Sequence, residues 1–223
     1  MSEGPYKITE EFERALSDYT GSKYCVCVDN ASNGLFLALM YENVRGMEIE
    51  IPCRTYVSVP MEIIRSGAKV KFRQTEGLTL TGAYQLSPTK VYDSALRFTY
   101  NMYLPNTHMI VSFTGPYKHL KLSKGGAILT DSYDAYLWMK RARFSGRREC
   151  DYFNDNIDFI GINCYLMPEI SARGLLLMKQ FYCTTTGAPK ENPDLTLPYP
   201  DLSKFPIFEK ATRIGGLDDQ KGE

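Results

Sequence analysis

Ser112-Phe113-Thr114-Gly115-Pro116-Tyr117-Lys118-His119-Leu120, followed by Lys124-Gly125-Gly126-Ala127-Ile128-Leu129-Thr130, is the stretch on which the reading of the fold turns. An apolar run ends in a hydroxyl, a lysine follows on a Gly/Pro turn, and a glycine pair opens a second apolar run. Such a layout sets one lysine amine at the end of a buried sheet, where desolvation lowers its pKa and frees it to attack carbonyls. Taken alone, the same stretch also reads as a solvated lysine in a strand-turn-strand connection.

Working outward, Lys90-Val91-Tyr92-Asp93-Ser94-Ala95 delivers a carboxylate to the end of a strand shortly before that lysine. Pyridoxal phosphate needs an anion opposite its pyridine nitrogen, because the anion keeps the nitrogen protonated and preserves the electron sink. An Asp after a strand is equally a cap or turn former. Further upstream, Tyr24-Cys25-Val26-Cys27-Val28 reads as a strand, and Asp29-Asn30-Ala31-Ser32-Asn33 leads from it into the apolar run Gly34 to Met40. Ser32 then sits near a helix N-terminus, where free amides favour a phosphate. The alternative is an ordinary Ser or Asn cap.

The alternation continues along the chain. Phe12, Ala15, Leu16 and Tyr19 mark an amphipathic helix that ends at Gly21. Strands are expected over Tyr24 to Val28, Glu48 to Ile51, Lys69 to Phe72, Lys90 to Tyr92, Met109 to Phe113 and Ala127 to Thr130. Helices are expected over Asn33 to Tyr41, Val57 to Arg65, Ser132 to Arg143 and Pro168 to Phe181. This order predicts an α/β fold: a mostly parallel sheet covered by helices, with ligands at the strand carboxyl ends.

With Lys+Arg 26 against Asp+Glu 26, no general electrostatic surface for nucleic acid is expected. The dense basic cluster Lys140-Arg141-Ala142-Arg143 with Arg147-Arg148 reads as the solvated face of a helix, with a phosphate clamp for a nucleotide diphosphate as the alternative. The cysteines at 25, 27, 53, 150, 164 and 183 lack paired C-x-x-C spacing, and only two His are present. Neither a metal site nor a disulfide framework is indicated. Cys25 and Cys27 share one strand face and read as packing residues. No apolar run approaches the roughly 20 residues that span a bilayer, and Met1-Ser2-Glu3-Gly4-Pro5 has no secretory pattern, so a cytoplasmic protein is expected.

Taken in order, these pieces resemble the DegT-type sugar aminotransferases, pyridoxal-phosphate enzymes of the aspartate-aminotransferase fold. The family pattern runs from a Ser-Gly-Thr-x-Ala-Leu phosphate turn through Pro-x-x-Thr-aromatic-Val and Gly-Ala-x-Val-x-Phe to Asp-x-Ala. Ser-Phe-x-x-x-Lys and Gly-Gly follow, then Asn with Met and Ala behind it. Here Asn30-Ala31-Ser32-Asn33-Gly34-Leu35, Pro52-Cys53-Arg54-Thr55-Tyr56-Val57, Gly67-Ala68-Lys69-Val70-Lys71-Phe72 and Asp93-Ser94-Ala95 stand in that order. Ser112-Phe113, Lys118, Gly125-Gly126 and Asn163 through Met167 to Ala172 complete it.

The resemblance covers about Phe12 to Phe181 and implies roles. Lys118 corresponds to the lysine that carries the cofactor and later moves a proton between cofactor and substrate carbons, and Asp93 to the pyridine partner. Ser32, the backbone of Ala31, and Ser112 correspond to phosphate ligands, and Tyr56 to the aromatic that stacks on the cofactor ring. Asn163 corresponds to a residue that reaches the phosphate of the neighbouring subunit, which implies a homodimer with a composite site. The implied reaction moves an amino group, usually from glutamate, to a keto group of a nucleotide-linked sugar.

The chain also departs from the pattern. Ser112 and Lys118 are one residue further apart than usual, Gly-Thr is Ala31-Ser32, the polar residue three after the Asp is Leu96, and Asn-x-Arg is Asn163-Cys164-Tyr165. A dehydratase branch carries His in place of the lysine, but the spacing to Gly125-Gly126 keeps Lys118 in register and leaves His119 beside it. At 223 residues the chain is shorter than full family members. Residues 1-182 read as the cofactor-binding large domain and 183-223 as a Pro-rich, partly disordered tail replacing the small domain. Two functions follow: an aminotransferase, or a degenerate relative that binds cofactor or sugar nucleotide as a partner subunit.

Overall fold

The computed structural model describes residues 6–74, 82–116, 118–184 and 199–208. Helix α1 (Tyr6–Thr20) leads into strand β1 (Tyr24–Val28), helix α2 (Ala31–Tyr41), β2 (Glu48–Pro52), α3 (Ser58–Arg65) and β3 (Lys69–Arg73). The short β4 (Tyr84–Gln85) and β5 (Val91–Asp93) precede β6 (His108–Ser112), β7 (Gly126–Thr130), α4 (Tyr133–Ala142) and α5 (Pro168–Thr184).

The α/β class with helices on both faces holds. The sheet itself is mixed rather than mostly parallel. Its order is β1-β7-β6-β5-β4, and of these pairings only β5 with β6 is parallel. The cause lies in the link between β6 and β7, which has no helix among its described residues and returns the chain antiparallel. Strands β2 and β3 form a separate parallel pair. Glu50 ties it to the rest through reciprocal backbone bonds with Ser87, at 2.8 and 3.1 Å.

Alternation along the central strands explains their unbroken apolar runs, since each strand feeds two cores. Val26, Val28, Ile110 and Ile128 pack with residues of α2, α3 and α4. Cys25, Cys27, Met109, Val111, Ala127 and Leu129 face the other way, against Phe12 and Leu16 of α1 and Met178 of α5. Both cysteines are therefore core residues.

Every expected strand and helix forms, and the end of β5 matters most. The strand runs to Asp93 rather than stopping at Tyr92, so the carboxylate is its last residue. Strand β4 was not expected. It lies in the Thr- and Gly-rich connection after Arg73 and pairs Tyr84 with Asp93. The expected tail, 183-223, falls largely outside the described residues, as does the N-terminus through Pro5.

The basic cluster on α4 is not a solvated face throughout. Arg143 has no exposed surface, and it bonds Glu13 and donates to the carbonyl of Cys27 at 2.6 Å and to Glu149 at 2.8 Å. Glu13 also accepts from the Cys27 amide at 2.8 Å. Burial opposes the charge on Arg143, but the two carboxylates more than restore it, so the guanidinium stays protonated. This buried charge bridges α1, β1 and the end of α4.

Candidate functional site

The elements converge on a cleft of about 250 Å³ at the carboxyl ends of β5 and β6. Asn30, Ala31 and Ser32 form one wall at the start of α2. Asn30 caps the helix, its side-chain oxygen accepting from the Asn33 amide at 2.8 Å. The first-turn amides beyond the cap have no intrahelical acceptor and present partial positive charge. Ser32 Oγ donates to Ser58 Oγ at 2.8 Å, so the start of α3 meets the start of α2 at the same wall.

The glycine pair explains how α2 comes so close to the sheet. A Cβ on Gly126 would stand 2.7 Å from the Ala31 nitrogen and 2.9 Å from the Val111 carbonyl oxygen, both rigid backbone atoms. Gly125 has φ +135, a conformation open to glycine, and hydrogen-bonds through its own amide to Thr114 Oγ1 at 3.1 Å. The two glycines thus hold the link after β6 against the helix start.

Asp93 and Lys118 occupy the floor and side of the cleft. The Asp93 carboxylate is buried and accepts from the Ala95 amide at 2.9 Å and from the Tyr84 hydroxyl at 2.8 Å. Tyr84 in turn hydrogen-bonds the Thr55 hydroxyl. Burial raises the Asp93 pKa, while the Ala95 amide, Tyr84 and Lys118 pull it down. Lys118 Nζ donates to the Ala95 carbonyl. Its pKa is lowered by burial and partly restored by the Asp93 charge.

The structure brings Ala31, Ser32, Tyr56, Asp93, Ser112 and Lys118 to the cleft, as the sequence placed them together. Asn163 does not line it. That residue is exposed and bridges Phe144 instead. Tyr165, where the pattern has Arg, lies under the Arg143 guanidinium at 4.7 Å and belongs to the buried cluster. Among the described residues, groups of His, Cys, Asp or Glu able to hold a metal are absent. Sequence reading missed Tyr84, Ser58, Thr114 and Tyr199 as parts of the site. Thr55 stood inside a quoted motif without a role, and nothing in the residues around Tyr84 or Tyr199 marks them.

Residues 1–91 match the model of the DegT/DnrJ/EryC1/StrS aminotransferase family. Over that stretch the chain is similar to this family. It is 29% identical over 83 residues to a dTDP-3-amino-3,6-dideoxy-alpha-D-galactopyranose transaminase of Aneurinibacillus thermoaerophilus, covering 37% of this chain and 22% of the relative. Among solved structures, a DegT DnrJ EryC1 StrS aminotransferase from Brucella abortus matches with a TM-score of 0.61 at 20% identity, over 80% of this chain and 59% of that one. AtS13 from Actinomadura melliaura matches with a TM-score of 0.66 at 16% identity, over 79% and 60%. A GDP-4-keto-6-deoxymannose-3-dehydratase, ColD, with bound GDP-perosamine gives 0.63 at 17%, over 78% and 61%. At these identities the structures speak for the fold. The chain spans less than two thirds of the length of each.

Proposed function

We propose that this chain is a DegT-type protein that binds pyridoxal phosphate in the cleft and serves amino transfer, with glutamate as donor, to a keto group of a nucleotide-linked sugar. The observation that carries the reading is the placement of a desolvated lysine amine and a buried carboxylate on one residue, Ala95, beside the start of α2. The match to the family model and the names of the similar proteins suggest the substrate class.

The donor set fits the cofactor. The first-turn amides at Ala31 and Ser32, with the Ser32 and Ser112 hydroxyls, would hold the phosphate. Tyr56 would lie against the ring, and Asp93 would keep a proton on the pyridine nitrogen. Bound there, pyridoxal phosphate supplies the electron sink for carbanion chemistry. Lys118 Nζ would move the proton, since its lowered pKa lets it act as a base nearer neutrality than an exposed lysine. On this reading residues 1-182 form the cofactor domain of a cytoplasmic homodimer, and Asn163 acts across the interface. Among the described residues, no helix is long and apolar enough to cross a membrane.

One observation favours the non-catalytic alternative, a cofactor- or sugar-nucleotide-binding partner subunit. No arginine is among the described residues lining the cleft, so a grip for the donor's carboxylate is not evident there. The deciding experiment adds pyridoxal phosphate to the purified protein and then glutamate. A new visible absorption band that converts to the pyridoxamine phosphate spectrum with glutamate supports the transferase. A band that persists at saturating glutamate supports the binder, and the absence of any band removes both cofactor readings.

A further inference from the structure

One side of the cleft is built by a segment far along the sequence, beyond the end of the family resemblance. Tyr199 lines the cavity together with Tyr56, Asp93 and Lys118. Its ring stands at 66° to that of Tyr56 with centroids 6.2 Å apart. The backbone there is anchored on both sides. Arg54 Nη1 donates to the Tyr199 carbonyl at 2.9 Å, and the Leu202 amide donates to the Cys53 carbonyl at 2.8 Å. Between them Asp201 accepts from the Ser203 amide at 3.1 Å and from its hydroxyl at 2.6 Å, which holds the turn.

A division of labour follows from burial. Leu202 is 2% exposed and Phe208 4% exposed, both within the core that includes β2 and α3. Phe208 also meets Phe72 edge to face at 5.9 Å. Those two side chains dock the segment. Tyr199 is left half-buried with its ring on the cavity wall, where docking does not require it. Burial, with Asp93 and Tyr56 nearby, pushes its phenol up to about 12, so it remains a neutral aromatic and a hydroxyl donor across the ordinary pH range.

We propose that Tyr199 is a direct contact of the planar ligand in this cleft, supplying an aromatic wall beside Tyr56. The proposal rests on the reading of the cleft as a pyridoxal-phosphate site and adds to it a ligand-contacting residue from the C-terminal segment. An aromatic edge beside a flat heterocycle contributes by both area and ring electrostatics. A phenyl ring keeps most of that contact, whereas a methyl group loses it.

The test is a fluorescence titration of the protein with pyridoxal phosphate, paired with amide hydrogen exchange over residues 199–208. Tyr199→Ala is expected to raise the dissociation constant about tenfold and Tyr199→Phe no more than about threefold. In the unaltered protein, saturating pyridoxal phosphate is expected to slow exchange over 199–208, while inorganic phosphate, which lacks the ring, does not. An unchanged constant for Tyr199→Ala overturns the proposal and leaves the cofactor reading standing. If that variant is unstable, exchange in the unaltered protein decides: no slowing, or equal slowing by phosphate alone, overturns the proposal. Failure of the unaltered protein to bind pyridoxal phosphate removes the cofactor reading, and this inference with it.

Discussion

Lys118 and Asp93 are held by the same residue: the Ala95 amide donates to the Asp93 carboxylate, and the Ala95 carbonyl accepts from Lys118 Nζ. A single peptide segment after β5 therefore anchors both side chains. Burial lowers the lysine pKa and raises the aspartate pKa, and each charge draws the other back toward its ordinary value.

The sign of that coupling gives the first prediction. Capture of pyridoxal phosphate by Lys118, trapped with borohydride and followed by peptide mass, requires the neutral amine. Capture should rise with pH and reach half its maximum below the ordinary lysine value of 10.5. Asp93 favours the protonated amine, so Asp93→Asn should move the midpoint further down. A midpoint that moves up in Asp93→Asn would show that the two groups do not share the cleft as described.

The lysine itself is separable from its neighbours. Lys124 pairs with Asp29 at 3.6 Å and Lys121 is exposed, whereas Lys118 lines the cleft. The visible band formed with pyridoxal phosphate should disappear in Lys118→Ala and survive in Lys121→Ala and Lys124→Ala. Should the band follow either of the other lysines, the register read from Gly125-Gly126 is wrong.

Tyr84 is predicted to act through Asp93. Its hydroxyl donates to the carboxylate at 2.8 Å, and that bond lowers the aspartate pKa. Tyr84→Phe keeps the ring and removes the donor, so the Asp93 carboxyl should titrate at higher pH. In the cofactor-loaded protein the spectral transition tied to the pyridine nitrogen should shift, with cofactor affinity changed less than about threefold. A pH profile that matches the unaltered protein rules the role out.

Much of this arrangement was legible in the chain. The unbroken runs Cys25 to Val28 and Met109 to Val111 announce a sheet buried on both faces, and the spacing from Lys118 to Gly125-Gly126 pointed to a lysine that lines the cleft. The mixed sheet was not legible, because strand direction depends on how the link between β6 and β7 runs and not on the strands themselves. Tyr84 and Tyr199 were missed for a related reason. Tyr56 lies far from Tyr199 in sequence, and Tyr84, nine residues before Asp93, sits in a two-residue strand too short to show a period. Arg143 stood in a run that looks like solvent-facing charge, and only the packing of α1 against β1 and the path of the chain after α4 show its carboxylate partners, Glu13 and Glu149.

Arg143 accordingly carries a stability prediction. Arg143→Met removes the cation from between Glu13 and Glu149 and leaves a buried carboxylate without compensation. The expected loss is about 3–5 kcal/mol by urea unfolding. Adding Glu13→Gln should recover part of it, because the stranded charge is then gone, although the Cys27 amide still has an acceptor. A double variant no more stable than Arg143→Met would mean that packing, and not the unpaired charge, sets the cost.

The last prediction concerns the residue that the cleft does not gather. Asn163 is exposed in its own subunit and outside the cavity, so any contact with cofactor phosphate must come from a second copy. The proposed homodimer makes that contact in trans, and closed two-fold dimers are the commonest assembly. Asn163→Ala alone should weaken cofactor binding, and Lys118→Ala alone should abolish the visible band. A mixed dimer of the two variants assembles one cleft with both residues intact and one with neither. Its band should therefore return to about half the amplitude of the unaltered protein, with the unaltered affinity. Light scattering that finds a cofactor-saturated monomer, or a mixture in which every remaining band keeps the weakened Asn163→Ala affinity, would place the whole site within one chain.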